Sequence, residues 1–178
     1  TKGQRVPSSG SQAVHVTVGI DQKTGNLTAF VERLGLTAED VIGMASPMAH
    51  QTGFMYGLLM PVCLGAHAIL FDIWDRRLMA RMVQDDRITF TMASTPFLID
   101  LSQAVEEQGF DSRSLRIFLC AGAPIPGAVV ERARRAMPQT RVIAAWGMTE
   151  NGALTVVDPK DDDERSINTD GCPLPGVE

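Results

Sequence analysis

Short apolar runs alternate with amphipathic stretches along most of this chain. The runs 41–46, 88–93 and 115–120 are apolar without strict alternation, which is typical of strands covered on both faces. Further strands are predicted at 67–71, 141–145 and 153–158, and helices at 27–34, 52–64, 75–83, 96–105 and 127–137. This alternation of strands and helices predicts an α/β fold: an open, mainly parallel sheet with helices on both faces.

The two ends of the chain depart from this rhythm. Residues 1–11 are polar and rich in Gly, Ser and Pro, which favours a loop, whereas Val14 to Ile20 alternates like a short strand. The acidic run 161–164 lacks the interleaved Gly and Asn of a calcium loop and is predicted to be a solvated turn. We therefore expect three parts, with bounds 1–26, 27–160 and 161–178.

Four loops that follow predicted strands carry the candidate chemistry. They are 47–53, 94–96, 121–126 and 146–151. Right-handed crossovers bring such loops together along the carboxyl edge of a parallel sheet, where ligands bind in folds of this kind. We therefore expect one site at this edge.

The last of these loops gathers an aromatic ring, a glycine, a hydroxyl and a carboxylate. The indole of Trp146 could stack on a purine, and Gly147 permits close approach of the backbone to a ligand. Thr149 could donate to a phosphate, and Glu150 could hold Mg²⁺ together with substrate phosphates. The alternative for this stretch is a core tryptophan followed by a helix cap.

Two earlier loops have both a functional and a structural interpretation. The small residues Gly122, Ala123 and Pro124 would let a flat ring lie against the main chain, but they also suit any tight strand-to-helix turn. His50 could approach an anionic substrate, act as a gate, or pack and cap the helix that follows. His67, inside an apolar strand, is expected to be a core residue.

Composition excludes several classes of protein. A hydrophobic fraction of 44% with 21% charged residues indicates a folded globular chain, and the net charge of −5 argues against nucleic acid as a main partner. Three widely spaced cysteines favour a reduced, cytoplasmic setting. The longest apolar stretch, 54–64, is too short for a membrane span. Gly-x-Ser-x-Gly and Gly-x-Gly-x-x-Gly motifs are absent, which disfavours serine hydrolysis and hydride transfer.

Four motifs, taken in order and at their separations, resemble the adenylate-forming superfamily of acyl-CoA synthetases, peptide-synthetase adenylation domains and luciferases. They are Ser-Pro-Met-Ala-His-Gln-Thr-Gly (46–53), Ala-Gly-Ala-Pro (121–124), Trp-Gly-Met-Thr-Glu (146–150) and Gly-Cys-Pro-Leu-Pro-Gly (171–176). The chain is most similar to short- and medium-chain acyl-CoA ligases of the cyclohexanecarboxylate-CoA ligase type. The similarity covers residues 34–178.

The resemblance implies that a carboxylic acid attacks the α-phosphate of Mg·ATP and that the thiol of CoA then captures the acyl group. It implies that the adenine lies along Gly122, Ala123 and Pro124 and against Trp146. Thr149 would contact the α-phosphate, Glu150 would bind Mg²⁺, and His50 would sit near the carboxylate of the acid. Gly147 and Met148 would lie close to the acyl group. The middle part, 27–160, would then be an adenylate-binding subdomain.

Several parts of the superfamily pattern are absent from the chain. These are the phosphate loop ending in Pro-Lys-Gly, of which Thr1-Lys2-Gly3 is at most an echo, the later Asp that holds the ribose, and the small domain with its catalytic Lys. We therefore expect an interior piece of the large N-terminal domain, inactive in isolation. A sheet cut in this way would expose an edge, which allows a homo-oligomer.

Two alternatives remain at this point. The first is an adenylation domain that loads the thiol of a carrier protein instead of CoA. The second is a non-catalytic α/β nucleotide-binding or interaction module.

Overall fold

The computed structural model describes residues 5–7, 12–14 and 25–177. Within them a short antiparallel pair is formed by β1 (Arg5–Pro7) and β2 (Gln12–Val14). The strands of the main sheet are β3 (Val41–Met44), β4 (His67–Leu70), β5 (Phe90–Ala93), β6 (Ile117–Cys120), β7 (Arg141–Met148), β8 (Gly152–Val156) and β9 (Cys172–Pro173). Their spatial order is β4-β3-β5-β6-β7-β8-β9. The first five in that order are parallel and the last two join antiparallel, so the prediction of a mainly parallel sheet is confirmed.

Helical elements lie on both faces of this sheet, as predicted. They are α1 (Gly25–Leu34), a π-helical segment (Gly53–Leu59) that continues into α2 (Met60–Leu64), α3 (Arg76–Asp85), α4 (Thr95–Gln108), α5 (Gly127–Ala136) and α6 (Asp163–Asn168). Two buried clusters result. The α1-side core is centred on Phe30, Tyr56, Met60 and Phe90. The α4-side core is centred on Met79, Leu98, Phe118 and Val130. None of the described helices is both long and apolar enough to cross a bilayer.

The strand order creates a crevice at the carboxyl edge of the sheet. From β3 the chain passes on one side to β4, and it then returns to pair β5 with the other side of β3. The helical segment after β3 belongs to the α1-side core, whereas the helix after β5 belongs to the α4-side core. The two connections therefore leave on opposite faces, and the carboxyl ends of β3 and β5 flank the point where ligands bind in open α/β sheets.

A buried carboxylate ties three strands together at the opposite edge. Asp40 is 4% exposed and accepts hydrogen bonds from the Thr37 N–H at 2.8 Å, the Thr89 hydroxyl at 2.6 Å and the Arg116 guanidinium at 2.7 Å. Burial raises the pKa of Asp40, but the bonds from Thr89, Arg116 and Thr37 outweigh it and hold the pKa below its ordinary value. Since Thr89 precedes β5 and Arg116 precedes β6, one side chain fixes the amino ends of three neighbouring strands.

Three local expectations are wrong. Arg5–Pro7 is a strand rather than a loop, because it pairs with Gln12–Val14; of the strand expected at 14–20, the part 15–20 lies outside the described residues. His67 is exposed, because it begins β4 at the edge of the sheet. The acidic run opens a helix, since the Asp162 side chain accepts the Arg165 N–H and caps α6. The three-part division of the chain stays a prediction.

Candidate active site

A cavity of about 430 Å³ lies at the carboxyl edge of the sheet, where the connections after β3 and β5 leave on opposite faces. Its walls come from the segment after β3, the carboxyl ends of β5 and β6, the first turn of α4, and β7 with β8. Six of the nine residues singled out in the sequence line it: His50, Gly122, Trp146, Gly147, Met148 and Thr149. The volume is in the range of small-molecule sites.

The other three lie beside the cavity. Ala123 and Pro124 continue the loop that begins at Gly122, and Thr95 anchors this loop by donating its hydroxyl to the carbonyl oxygen of Pro124 at 2.8 Å. Glu150 is exposed and directly follows Thr149, which does line the cavity. A carboxylate at this place could therefore reach a metal ion held at the mouth.

The motif from Trp146 to Glu150 lies on a β-hairpin rather than in a loop after a strand. Strand β7 continues to Met148, which pairs with Gly152, and the turn 149–151 is closed by a bond of 3.3 Å from the Asn151 N–H to the Met148 carbonyl. Trp146 is 46% exposed and faces the cavity. The strand end predicted at residue 145 is therefore wrong, and so is the alternative of a core tryptophan before a helix cap.

Gly147 is required by the shape of this hairpin. The register between strands β7 and β8 shifts between Trp146 and Gly147. A Cβ at Gly147 would lie 2.8 Å from the Ala153 Cα and would overlap the Gly152 carbonyl oxygen. Only glycine fits without displacing β8, and its neighbours Trp146 and Met148 both line the cavity.

His50 combines two of the three roles considered for it. Its Nδ1 accepts the Thr52 N–H at 3.2 Å, so the ring caps the helical segment that follows. It also lines the cavity. Because Nδ1 accepts a hydrogen bond, the proton of the neutral ring lies on Nε2. Nε2–H is thus the atom that can donate to an anionic ligand.

The wall beyond His50 is π-helical, where an ordinary helix was predicted. Its backbone packs closely against the side chain of Met44 in β3. A Cβ at Gly57 would lie only 2.5 Å from the Met44 Cγ. Tyr56, also in this wall, is 1% exposed, and its hydroxyl accepts the Ala153 N–H at 2.8 Å. Burial raises the pKa of Tyr56, and the bond from Ala153 offsets this only in part. Short π-helical pieces are frequent at functional sites.

The opposite wall is built by the beginning of α4. Phe97 lines the cavity and packs edge-on against Trp74, with ring centroids 4.6 Å apart. Trp74 is fixed in turn by a bond of 2.8 Å from its indole N–H to Asp100. Sequence reasoning identified 94–96 as a candidate loop but missed Phe97 and Tyr56. A polar-tipped aromatic between two glycines, as at 53–57, was the available signal for Tyr56.

The lining is mostly apolar and carries no carboxylate among the described residues. The same residues contain no cluster of three or more His, Cys, Asp or Glu side chains that could enclose a metal ion. Mg²⁺ is commonly held by one or two carboxylates together with substrate phosphates, and Glu150 fits that pattern. The arrangement therefore suits a flat ring and an apolar group, with hydroxyl and imidazole donors between them.

Comparison with known proteins identifies the family of this chain. Residues 18–178 match the family model described as AMP-binding enzyme. The medium-chain fatty-acid–CoA ligase of Escherichia coli K12 is 35% identical over 150 residues, which are 84% of this chain and 26% of that ligase. The chain thus spans about a quarter of the length of this relative.

Solved structures share the fold. A malonyl-CoA ligase, in a ternary product complex with methylmalonyl-CoA and AMP, superposes with a TM-score of 0.77 at 23% identity, over 94% of this chain and 36% of that one. A long-chain fatty-acid–CoA ligase of Archaeoglobus fulgidus superposes with a TM-score of 0.74 at 25% identity, over 84% and 31%. With residues 18–178 matched by the family model, this chain belongs to the AMP-binding enzyme family.

Proposed function

We propose that this chain forms the adenylate-binding and acid-binding part of an ATP-dependent, AMP-forming carboxylic acid–CoA ligase. In that reaction a carboxylate oxygen attacks the α-phosphorus of ATP, pyrophosphate leaves, and the thiol of CoA then takes the acyl group and releases AMP. One observation carries the proposal: the cavity at the carboxyl edge is lined by six motif residues, in a chain that belongs to the AMP-binding enzyme family.

The nucleotide is assigned to the side of β6 and the hairpin. The exposed indole of Trp146 offers a stacking face for adenine, and the backbone from Gly122 to Pro124 offers an edge beside it. Thr149 supplies a hydroxyl for the α-phosphate. Glu150 would hold Mg²⁺, which neutralises phosphate charge when bound. Donors placed where negative charge develops lower the barrier of such transfers.

The acid is assigned to the side of the π-helical segment. His50 can donate from Nε2 to its carboxylate, and the aromatic rings of Tyr56 and Phe97 with the thioethers of Met92 and Met148 give the cavity an apolar character. An apolar tail fits this surface better than a second charge. The similarity to a medium-chain fatty-acid–CoA ligase supports the same class of acid.

The test uses the full-length gene product that includes these residues. ATP–pyrophosphate exchange is measured with butanoate, octanoate, tetradecanoate, benzoate and malonate, and the acyl-CoA product is identified by mass spectrometry. We expect exchange with the apolar acids, most with octanoate, and none with malonate. The absence of exchange with every acid would overturn the proposal. Transfer to a carrier-protein thiol but not to CoA would overturn the assignment of the acceptor.

Two variants of the full-length protein test the phosphate and metal assignments. Thr149→Val is expected to lower the exchange rate about a hundredfold, because loss of one well-placed donor costs about 3 kcal/mol in comparable sites. Thr28→Val, which changes an exposed threonine on α1, is the matched control. Glu150→Gln is expected to raise the Mg²⁺ concentration needed for half-maximal rate. Glu39→Gln, at an exposed glutamate outside the cavity, is the control and is expected to leave that concentration unchanged.

The 178-residue chain by itself is expected to be inactive. It spans 26% of the length of the Escherichia coli ligase, so about three quarters of that protein has no counterpart in these residues. Exchange activity above background from the purified chain would contradict this expectation.

A further inference from the structure

A hydrogen bond joins the π-helical wall of the cavity to its hairpin wall. The hydroxyl of Tyr56, in the π-helical segment, accepts the backbone N–H of Ala153, in β8, at 2.8 Å across a sequence separation of 97 residues. The π-helical segment follows the turn that His50 caps, and β8 is the partner of the strand that carries Trp146. The bond thus connects the wall assigned to the acid with the hairpin assigned to the nucleotide.

The ring of Tyr56 is held in place by the α1-side core. It is 1% exposed and lies against Phe30, with ring centroids 4.7 Å apart and planes inclined by 40°. Phe30 is itself fully buried and meets Phe90 edge-on at 6.4 Å. A ring held in this way has little freedom to rotate or withdraw, so its hydroxyl occupies a fixed point of the α1-side core.

The donor of the bond, the Ala153 N–H, lies where the two strands of the hairpin approach each other closely. Ala153 pairs with Gly147, where the register shifts and a single added methyl would meet the Ala153 Cα at 2.8 Å. A displacement of Ala153 is therefore transmitted to Gly147, and Gly147 stands between Trp146 and Met148 in the chain. The Tyr56 hydroxyl is in this way mechanically linked to the hairpin that carries Trp146, whose indole is assigned to the nucleotide.

We propose that Tyr56 is a positioning residue that sets the separation between the acid and the α-phosphate. This inference rests on the proposed function, because only then do the two walls hold two reactants. Reacting atoms must lie about 3 to 3.5 Å apart for attack, and a misplacement of about 1 Å can reduce a rate by about a hundredfold. Each wall keeps its own ligand contacts without the bond, so the rate falls while the affinities persist.

Tyr56→Phe removes the hydroxyl and keeps the ring. In the full-length protein its kcat for ATP–pyrophosphate exchange is expected to fall about ten- to a hundredfold, with the KM values for ATP and acid changing less than about threefold. Phe118→Leu, which truncates a buried ring in the α4-side core, is the control for loss of stability. It is expected to lower the unfolding midpoint and to keep kcat within about threefold of wild type. A wild-type kcat in Tyr56→Phe, or an equal fall in both variants, would overturn the inference.

A second measurement does not depend on ligase activity. Hydrogen exchange of backbone amides, followed by mass spectrometry in the full-length protein, is expected to be at least about tenfold faster for residues 147–156 in Tyr56→Phe than in wild type, and unchanged for β6. Unchanged exchange in the hairpin would overturn the inference even in an active ligase. If the hairpin loosens but the wild-type protein activates no acid, the proposed function fails while the link between the walls stands.

Discussion

The hydroxyl of Thr95 donates a hydrogen bond of 2.8 Å to the carbonyl oxygen of Pro124, which ties the first turn of α4 to the loop after β6. Thr95 is buried, so the bond is shielded from water. It holds in place the backbone from Gly122 onward, along which the adenine is proposed to lie. The loop has few side-chain atoms of its own to fix it, and this outside support takes their place.

Thr95→Val removes this bond with little change of shape. We expect the free energy of unfolding of the 178-residue chain to fall by about 1 kcal/mol, and the KM for ATP of the full-length protein to rise. Thr140→Val is a matched control, because Thr140 is also buried and donates to the Leu115 carbonyl at 2.8 Å, but at the other edge of the sheet. It should cost similar stability and leave the KM for ATP unchanged. An equal rise in both variants would exclude a specific role of Thr95.

Trp146→Ala tests the proposed stacking face. Base stacking on an aromatic side chain contributes about 1 to 3 kcal/mol, so the KM for ATP of the full-length protein should rise about tenfold. Since Trp146 is 46% exposed, the unfolding midpoint of the chain should hardly move. Ile73→Ala, at another exposed apolar residue, should change neither quantity. An unaltered KM for ATP in Trp146→Ala would remove the indole from the nucleotide site.

Gly147→Ala tests the close approach within the hairpin. The added Cβ would force β7 and β8 apart, at a cost of about 1 to 3 kcal/mol in unfolding free energy. Gly127→Ala is the control, because a Cβ there would meet only the Ile167 side chain, at 3.7 Å, and alanine is the better helix former. Urea denaturation of the chain should therefore rank Gly127→Ala at or above wild type and Gly147→Ala below it. The reverse order would mean that the hairpin can widen freely.

Asp40 should make stability depend on pH in a definite direction. Its pKa is lowered in the folded state, because the bonds from Thr89, Arg116 and Thr37 outweigh the effect of burial. The contribution is therefore fully present above the unfolded pKa of about 3.9 and is lost as the pH falls through the lower, folded pKa. Asp40→Asn should cost about 2 kcal/mol near neutral pH, and the difference from wild type should shrink below about pH 4.

Urea titrations of the chain at several pH values check this prediction. Glu107→Gln is the control, since its ion pair with Arg76 is solvent-exposed and such pairs contribute little. A difference between Asp40→Asn and wild type that stayed constant down to the lowest pH would show that the charge of Asp40 is not what stabilises the fold.

The sheet could be predicted from the sequence because each buried strand is a short apolar run followed by a helical period, as at Ile117–Cys120 before α5. The position of the cavity followed, since strand-to-helix loops of a parallel sheet meet at one edge. The hairpin was missed because the apolar run ends at Ala145 and the residues after it are interpreted as a loop. The Asn151-Gly152 pair is a turn signal that could have revealed it.

Other features depend on contacts between distant parts of the chain. Tyr56 and Phe97 lie among the apolar residues of amphipathic helical stretches, which is the pattern of core residues. A side chain that lines a cavity is packed on its other sides like a core residue, so the sequence does not distinguish the two. The π-helical turn has no distinct pattern in Gly53–Leu59. In the fold, Gly57 packs so closely against Met44 that a Cβ would lie 2.5 Å from the Met44 Cγ. Such fits are decided by three-dimensional packing rather than by local preference.

The divergence of the connections after β3 and β5 has a consequence for how the site can change. The π-helical wall rests on the α1-side core through Tyr56, and the wall formed by α4 rests on the α4-side core through Phe97. The two cores are separated by the sheet, so a substitution deep in one layer can reshape its own wall and leave the other undisturbed. The acid side of the cavity could therefore be reshaped from either core separately, by changes that never touch a ligand.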